Sequence, residues 1–327
     1  MQSRVPETLI LLGERMDPLW RGYLPQVVKG NPITVTADTT GRGGFPHNND
    51  IVGWRRWLGA KGIKQLHYFQ PDAGSFGILT AARLSAIEIT IHITGQVDRN
   101  IQRIVKLFRG GNGICGLRAR GKTIRFQCAG KFCAEQLRRL GVREEIISVW
   151  LPEVEVQPIN EARRSQLRNS INPTGPVILV MARPGDGQGL KGALWSGALV
   201  KHIFYDTKLV VAGACTDRQA RDLSEKEDVW DSKGMIHIDN EEHSWDELVG
   251  ASDVVLAGTG PFHDVIRLLH ARAARAKIIA GVGAASEFLS DYEYAQIVIP
   301  NQPRQLAGAI LSILEKSDTR STTEILK

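Results

Sequence analysis

The sequence predicts an α/β protein of two domains, each built on a parallel sheet with helices on both faces. Three observations carry this. A chain of 327 residues is about two domains at ~150 residues each. Short aliphatic and β-branched runs alternate with amphipathic stretches almost from end to end. Those runs are nearly continuous in apolar residues, as expected of strands covered on both sides.

In the first half the strand runs are Leu9–Leu12, Ile33–Ala37, Gln65–Phe69, Ile87–His92, Thr123–Cys128 and Ile146–Leu151. In the second they are Val177–Met181, Lys208–Ala212, Met235–Ile238, Val254–Ala257, Lys277–Ala280 and Ile297–Ile299. Helical periodicity is clearest over Val97–Phe108, Phe132–Leu140, Gly192–Phe204 and Asp264–Ala274. The stretch Leu151-Pro-Glu-Val-Glu-Val-Gln-Pro158 has two prolines and no period, so it reads as a linker over 152–159. A polar helix over Asn160–Ser170 follows, and Asn172-Pro-Thr-Gly-Pro176 punctuates the entry to the next strand. The expected domains are 1–152 and 160–316, with a frayed polar tail.

Composition narrows the class. Hydrophobic residues make up 43% and charged residues 23%, which is globular rather than disordered. No run approaches the ~18 apolar residues of a spanning helix, and Leu9–Leu12 is too short for the core of a secretion signal. The four cysteines, at 115, 128, 133 and 215, form neither a C-x-x-C pair nor a zinc-ligand pattern with histidine. They read as reduced thiols of a cytosolic protein.

The net charge of +6 is unevenly spread. Residues 1–155 hold 22 Lys and Arg against 13 Asp and Glu, and residues 156–327 hold 19 against 22. Between Arg99 and Arg143 there are twelve basic residues and one acid, Glu135. Such a patch is either a solvated face or an attractor of polyanions. Over Val97–Arg109, Val97, Ile101, Ile104, Val105 and Phe108 form one apolar stripe, with Arg99, Arg103, Lys106 and Arg109 elsewhere round the helix. This helix either covers its own sheet or lies at an anionic membrane surface. Nucleic acid is disfavoured as a partner, because no aromatic platform interleaves the cations.

Candidate chemistry concentrates in the second half. Val177–Met181 leads to Arg183, then to Pro184-Gly-Asp-Gly-Gln-Gly-Leu-Lys191-Gly192, a glycine-rich loop opening a helix. Ligands of open parallel sheets bind outside the carboxyl ends of the strands. Two cations and free helix-start amides at such an edge suit a diphosphate; the other reading is a turn with surface cations. Neither the P-loop nor the dinucleotide-binding glycine pattern is met.

The order of Arg183, Lys191-Gly192, Leu209-Val-Val-Ala-Gly213, His243-Ser-Trp-Asp-Glu-Leu248, Ala251-Ser-Asp253-Val-Val-Leu256, Leu268-Leu-His270-Ala-Arg-Ala and Lys277-Ile-Ile-Ala-Gly resembles glycosyltransferase family 4. So do Ser286-Glu-Phe-Leu, Lys131-Phe-Cys-Ala-Glu-Gln-Leu-Arg-Arg-Leu-Gly141 and Ile146-Ile-Ser-Val149. The resemblance covers 120–315 well and 60–95 weakly. It implies the GT-B fold, two Rossmann-like domains facing across a cleft, with an acceptor-side first domain and a donor-side second. It further implies transfer of a sugar from a nucleotide-diphosphate sugar to a glycan or lipid-linked acceptor, with retention at the anomeric carbon. With no Asp-x-Asp motif, this reading needs no metal, and no cofactor beyond the donor, which is a substrate.

Residue by residue, the resemblance puts Arg183 and Lys191 on the donor diphosphate and His92 on the transferred sugar. Gly260 and Asp264 fall in the loop and helix start whose amides face the diphosphate and sugar. Taken alone, His92 at a strand end also fits a structural histidine, and Asp264 also fits a helix N-cap. The glycine-rich Thr40-Gly-Arg-Gly-Gly44-Phe-Pro46 is either a turn or a stand-in for the family's N-terminal glycine loop. The family carries two glutamates where this chain has Phe262 and His270. A neutral His270 can accept one hydrogen bond from a ribose hydroxyl; Phe262 can accept none. This departure keeps open a second class, a GT-B-like protein that binds a nucleotide, glycan or partner without catalysis.

Overall fold

A computed structural model describes residues 8–13, 18–28, 32–36, 45–47, 49–72, 74–95, 97–109, 124–156, 160–181, 187–212, 217–239, 242–257, 265–283, 285–299 and 302–325. The chain divides into two compact units, Met1–Pro152 and Glu153–Lys327.

The first unit holds six strands: β1 (Thr8–Leu12), β2 (Ile33–Thr36), β3 (Gln65–Phe69), β4 (Glu88–Ile93), β5 (Ile124–Cys128) and β6 (Ile147–Val149). All pair in parallel, in the order β2-β1-β3-β4-β5-β6. A 3-10 stretch, Pro18–Tyr23, runs into α1 (Leu24–Val27) between β1 and β2. The later connections carry α2 (Ile51–Ala60), α3 (Ser75–Leu84), α4 (Arg99–Arg109) and α5 (Lys131–Arg139). Right-handed crossovers place the helices of all rightward steps on one face. Accordingly, Trp54 and Leu58 of α2, Ile78 and Leu79 of α3, Ile101 and Ile104 of α4 and Leu137 of α5 share one core with Leu66, Tyr68, Ile89 and Ile91. Because side chains alternate along a strand, His67, Phe69, Thr90 and His92 fall on the opposite face of the sheet. Trp20, from the 3-10 stretch, is buried with its ring 6.0 Å from that of Trp150.

The apolar stripe of α4 is thereby spent on the protein's own core. Ile101, Ile104 and Val105 are buried, while Arg99, Arg103 and Lys106 are exposed. At 100° per residue these three cations lie within an arc of about 60°. Of the two readings of this helix, covering its own sheet is the one its burial supports, and the cations Arg99, Arg103 and Lys106 are left exposed. Asp98 sets the start of α4, its carboxylate accepting from the amides of Asn100 and Ile101 at 2.9 Å.

The second unit opens with α6 (Glu161–Ile171), capped by the Asn160 side chain on the Ala162 amide at 2.9 Å. Then come β7 (Val177–Val180), α7 (Gly187–Lys201), β8 (Lys208–Ala212), α8 (Asp217–Val229), β9 (Ile236–Asp239), α9 (Trp245–Ala251), β10 (Val254–Ala257) and α10 (Val265–Ala273). β11 (Ile278–Gly281), β12 (Ala295–Val298) and α11 (Pro303–Ile325) complete the unit. The sheet is parallel, in the order β12-β11-β10-β7-β8-β9. Every side chain of β7 is buried, at about 1.5–3 kcal/mol of transfer free energy per large aliphatic group. Arg168 of α6 ties the entry segment to this sheet. Its guanidinium donates to Asp253 Oδ2 at 2.8 Å and to the Ala251 and Gly175 carbonyls at 3.1 and 2.7 Å, and the same Asp253 oxygen accepts from the Val177 amide at 2.8 Å.

One boundary differs from expectation in a way that bears on the site. The helix expected over Gly192–Phe204 begins at Gly187 and ends at Lys201, so Lys191 lies inside it rather than at its mouth. Glycine disfavours helix by only ~1 kcal/mol per residue. Burial of Leu190, Ala193 and Leu194 against β7 and β8 outweighs that cost.

Candidate functional site

In each sheet the chain order reverses beside the first strand, and that reversal defines where an open parallel sheet offers a crevice at its carboxyl edge. In the second unit the reversal falls between β7 and β10. Their ends are tied by the Met181 amide, which donates to the Leu256 carbonyl at 2.9 Å. The chain leaves β7 toward α7 and β10 toward α10, and these are the segments on which the sequence placed the donor-binding residues. Arg183, Gly260, Asp264 and Phe262 lie outside the described residues. Lys191 is exposed on α7, with no ion-pair partner among the described residues.

His270 is only 6% exposed. Its Nδ1 lies 2.8 Å from Asp246 Oδ1, joining α10 to the first turn of α9. Arg267, one turn earlier, stacks its guanidinium 4.8 Å from the Trp245 ring centre and reaches the Ala212 carbonyl at 3.5 Å, the last residue of β8. The Trp245 indole N–H donates to the Arg267 carbonyl at 2.9 Å. Trp245, Asp246 and Arg267 were not read as site residues from the sequence. The visible signal was local: a capping box in which the Ser244 hydroxyl and the Glu247 carboxylate satisfy each other's backbone amides.

In the first unit the reversal falls between β1 and β3. Gly13 follows β1, and its amide donates to the Phe69 carbonyl at 2.9 Å. Gln70 follows β3, and its amide donates to the His92 carbonyl at 2.8 Å. Gln70 has φ +43°, a left-handed conformation that costs a non-glycine residue about 1–3 kcal/mol. Two residues on, Asp72 Oδ1 accepts from the Gly74 amide at 2.9 Å and the Ser75 hydroxyl at 3.3 Å, at the start of α3.

His92 is 2% exposed. Its ring stacks on Phe69 at 4.0 Å, with 3° between the planes, and its Nε2 lies 2.9 Å from His67 Nδ1. Burial holds both imidazoles neutral. It lowers His67 to about 4; for His92 burial acts first and the neighbouring His67 adds to it. The pair therefore shares one N–H between two neutral rings.

This pair has a pH consequence. In the unfolded chain a histidine takes up its proton near pH 6.5, whereas folded His67 does so only near 4. The unfolded state binds more protons between those values, so stability is complete above about pH 6.5 and falls as pH drops toward 4. Denaturant midpoints measured from pH 7.5 to 4.5 are expected to decline, and His67→Gln is expected to flatten the decline. An unchanged slope in the variant would count against the pair as its source.

Two Rossmann-like domains of this kind make up the GT-B fold, and solved structures agree. The chain matches a glycosyltransferase from Rickettsia africae ESF-5 with a TM-score of 0.67 at 15% identity, over 95% of this chain and 88% of that one. It matches Anabaena HepE in complex with UDP and glucose with a TM-score of 0.68 at 12% identity, over 95% and 91%. It matches sucrose-phosphate synthase from Thermosynechococcus elongatus with a TM-score of 0.69 at 13% identity, over 94% and 90%. No protein-family model matches the sequence, and no curated protein sequence matches it significantly. At these identities the likeness is one of fold.

Proposed function

We propose that the protein is a glycosyltransferase, a divergent relative of family 4, that moves a hexosyl group from a nucleotide-diphosphate sugar to a hydroxyl acceptor with retention of configuration. The observation that carries this reading is topological. The segments bearing Arg183 and Lys191, and Gly260, Asp264 and His270, are those that leave β7 and β10, the two strands flanking the reversal in the second sheet. The fold is shared with a glycosyltransferase from Rickettsia africae ESF-5 and with Anabaena HepE, solved in complex with UDP and glucose. In the proposed reaction Arg183 and Lys191 stabilise charge developing on the departing diphosphate. His270 accepts a hydrogen bond from a ribose hydroxyl where the family carries a glutamate. His92, stacked behind Phe69, acts on the sugar through the edge it supports.

The test is a thermal-shift panel of UDP, GDP, ADP and dTDP with their sugars. A ligand at ~100 times its dissociation constant adds ~2.7 kcal/mol, and absence of any shift would overturn the reading. Phe262 and His270, where the family carries glutamates, favour as second reading a protein that binds a nucleotide, glycan or partner without transfer. Nucleotide binding with no hydrolysis or transfer across a broad acceptor screen would select it.

We place the acceptor among cell-surface glycans or glycolipids, reached by electrostatic attachment to the inner face of an anionic membrane. No helix among the described residues is long and apolar enough to cross a membrane, so attachment rests on charge. Arg99, Arg103 and Lys106 are exposed on one face of α4, and each cation near such a surface adds ~1 kcal/mol. By contrast, Arg138 and Arg139 of α5 are paired with Glu135 and Glu144. Vesicles containing phosphatidylglycerol are expected to sediment the protein at low salt. At 1 M salt, where the Debye length is ~3 Å, they are expected to release it. Binding should weaken in Arg99→Gln/Arg103→Gln/Lys106→Gln, and equal binding to neutral vesicles would refute the attachment.

A further inference from the structure

The helix α7 lacks the polar outer face of an ordinary surface helix. From Gly192 to Val200 the chain reads Gly-Ala-Leu-Trp-Ser-Gly-Ala-Leu-Val, with no charge at any position. Ser196 adds no outward polarity. It is buried, and its hydroxyl lies 2.8 Å from the Gly192 carbonyl and 3.1 Å from the Pro303 carbonyl at the start of α11. Lys201, the last residue of the helix, places its ammonium on the Lys233 carbonyl at 2.8 Å. A helix that is apolar all round belongs in a protein interior.

One side of α7 is so placed. Leu190, Ala193, Leu194 and Val200 are buried in the core of the second unit, and a Cβ on Gly197 would run into the Leu209 side chain. The other side is not. At 100° per residue Trp195 and Leu199 lie about 40° apart, turned away from Leu190 and Leu194. Ile203 continues their row, because its amide and that of Phe204 both donate to the Val200 carbonyl at 2.9 Å and carry the helical path onward. Trp195 is 47% exposed, Ile203 58% and Tyr205, just beyond, 79%; Leu199 is half-buried between them. With ~150–250 Å² for a whole aromatic side chain, the three leave roughly 400 Å² of largely apolar surface open. Contiguous apolar surface of that size marks an interaction site.

We propose that this face of α7 is the interface between two copies of the chain, related by a two-fold axis beside Leu199. The spacing of the row selects the partner. Two copies of α7 packed antiparallel about Leu199 set Trp195, four residues before it, against Ile203 of the second copy, four residues after it. Leu199 then meets its own equivalent. A two-fold interface has to be complementary to itself, and here the central contacts are apolar on apolar, with no like charges opposed. The size fits as well. A standard interface buries about 800 Å² per partner, a little over half of it non-polar, so roughly 400 Å² of apolar surface is most of what a stable dimer needs. The row runs from Trp195 toward the end of α7, away from the carboxyl end of β7, so association leaves that edge accessible.

Sedimentation velocity of the full-length protein tests this between about 1 and 100 μM, a span that reaches the weak end of standard-size interfaces. The wild type is expected to sediment as a dimer. Trp195→Glu and Ile203→Glu each put one carboxylate per copy into the middle of the interface. Each is expected to weaken association ~30-fold or more, the effect of losing a central hot-spot residue. Tyr205→Glu keeps the test open should either of these fail to fold, because a side chain 79% exposed is not needed by the fold. It is expected to weaken association about fivefold or more, as a residue nearer the rim does, in protein that melts like the wild type. A wild type that is monomeric at every concentration overturns the proposal, and so does a dimer that persists in whichever variants fold. A monomeric wild type that sediments with neutral phosphatidylcholine vesicles also overturns it, and gives the face to a lipid surface instead.

Discussion

Replacing Lys191 by alanine is expected to weaken nucleoside-diphosphate binding about ten- to a hundredfold while leaving the melting temperature of the free protein almost unchanged. The two halves of that expectation have separate causes. Leu190, Ala193 and Leu194 hold α7 to its sheet, and Lys191 points away from that core, exposed and without an ion pair among the described residues. Its removal therefore costs little packing. A charge-assisted hydrogen bond to a diphosphate is worth about 1.5–3 kcal/mol, which at ~1.4 kcal/mol per factor of ten gives the range stated. Arg183→Ala is expected to do the same. The double variant should lose less than the sum, because two cations on one diphosphate are coupled. Calorimetric titration with UDP, GDP and ADP checks all three variants. Unchanged affinity in both single variants would remove the diphosphate clamp, and with it the mechanism proposed for leaving-group stabilisation.

What the sequence disclosed about these elements follows from how each is buried. The run Val177–Val180 is apolar at every position and buried at every position, so a parallel strand was legible at once. At sheet edges the same rule finds the strand and misplaces its bounds. The run Ile297–Ile299 overlaps β12, which covers Ala295–Val298, and Ile297 and Ile299 are exposed. Apolarity there reports little, because an edge strand has one open side. At β9 the last residue is Asp239, buried although charged, with its carboxylate on the His243 ring. A rule that looks for apolar runs stops one residue short of it.

The proposed site was legible only where residues next to each other in the chain carry it. The strand, Arg183 and Lys191 lie within fifteen residues and read as a phosphate edge. Asp246 and His270 are twenty-four residues apart, and only the packing of α9 on α10 brings them together. Gln70 gave no signal at all. Glutamine after a strand is ordinary in sequence, and its left-handed backbone and its bonds from Thr94 show only in the folded chain. His92 was read as reaching the sugar; in the fold its ring stacks on Phe69 and lies within hydrogen-bond distance of His67, and its backbone carbonyl accepts from the Gln70 amide.

Gly13→Ala is expected to destabilise the first unit by about 3 kcal/mol, the high side of overpacking in a close-packed interior. A Cβ on residue 13 would lie 2.0 Å from the Gln70 carbonyl oxygen and 3.0 Å from the Phe69 carbonyl oxygen. Both are backbone atoms, so no side-chain rotation relieves the clash. The backbone cannot retreat cheaply either. The Gly13 amide donates to the same Phe69 carbonyl, Leu12 is in register with Phe69, and Gln70 is tied to the His92 carbonyl. Moving Gly13 away from Gln70 breaks the first of these bonds; moving Gln70 breaks the second and the Thr94 bonds to its side chain. Gly59→Ala is the matched control, since a Cβ there meets nothing within 4 Å inside α2. It is expected to stabilise by about 0.5–1 kcal/mol through helix propensity. Because a two-domain chain need not unfold in one step, amide hydrogen exchange is the sharper measurement. Protection should fall in β1 and β3 of Gly13→Ala and remain unchanged in β7 and β10. Protection in β1 and β3 unchanged by the substitution would mean that the edge around Gln70 yields to a methyl group, against the close approach of its backbone to Gly13.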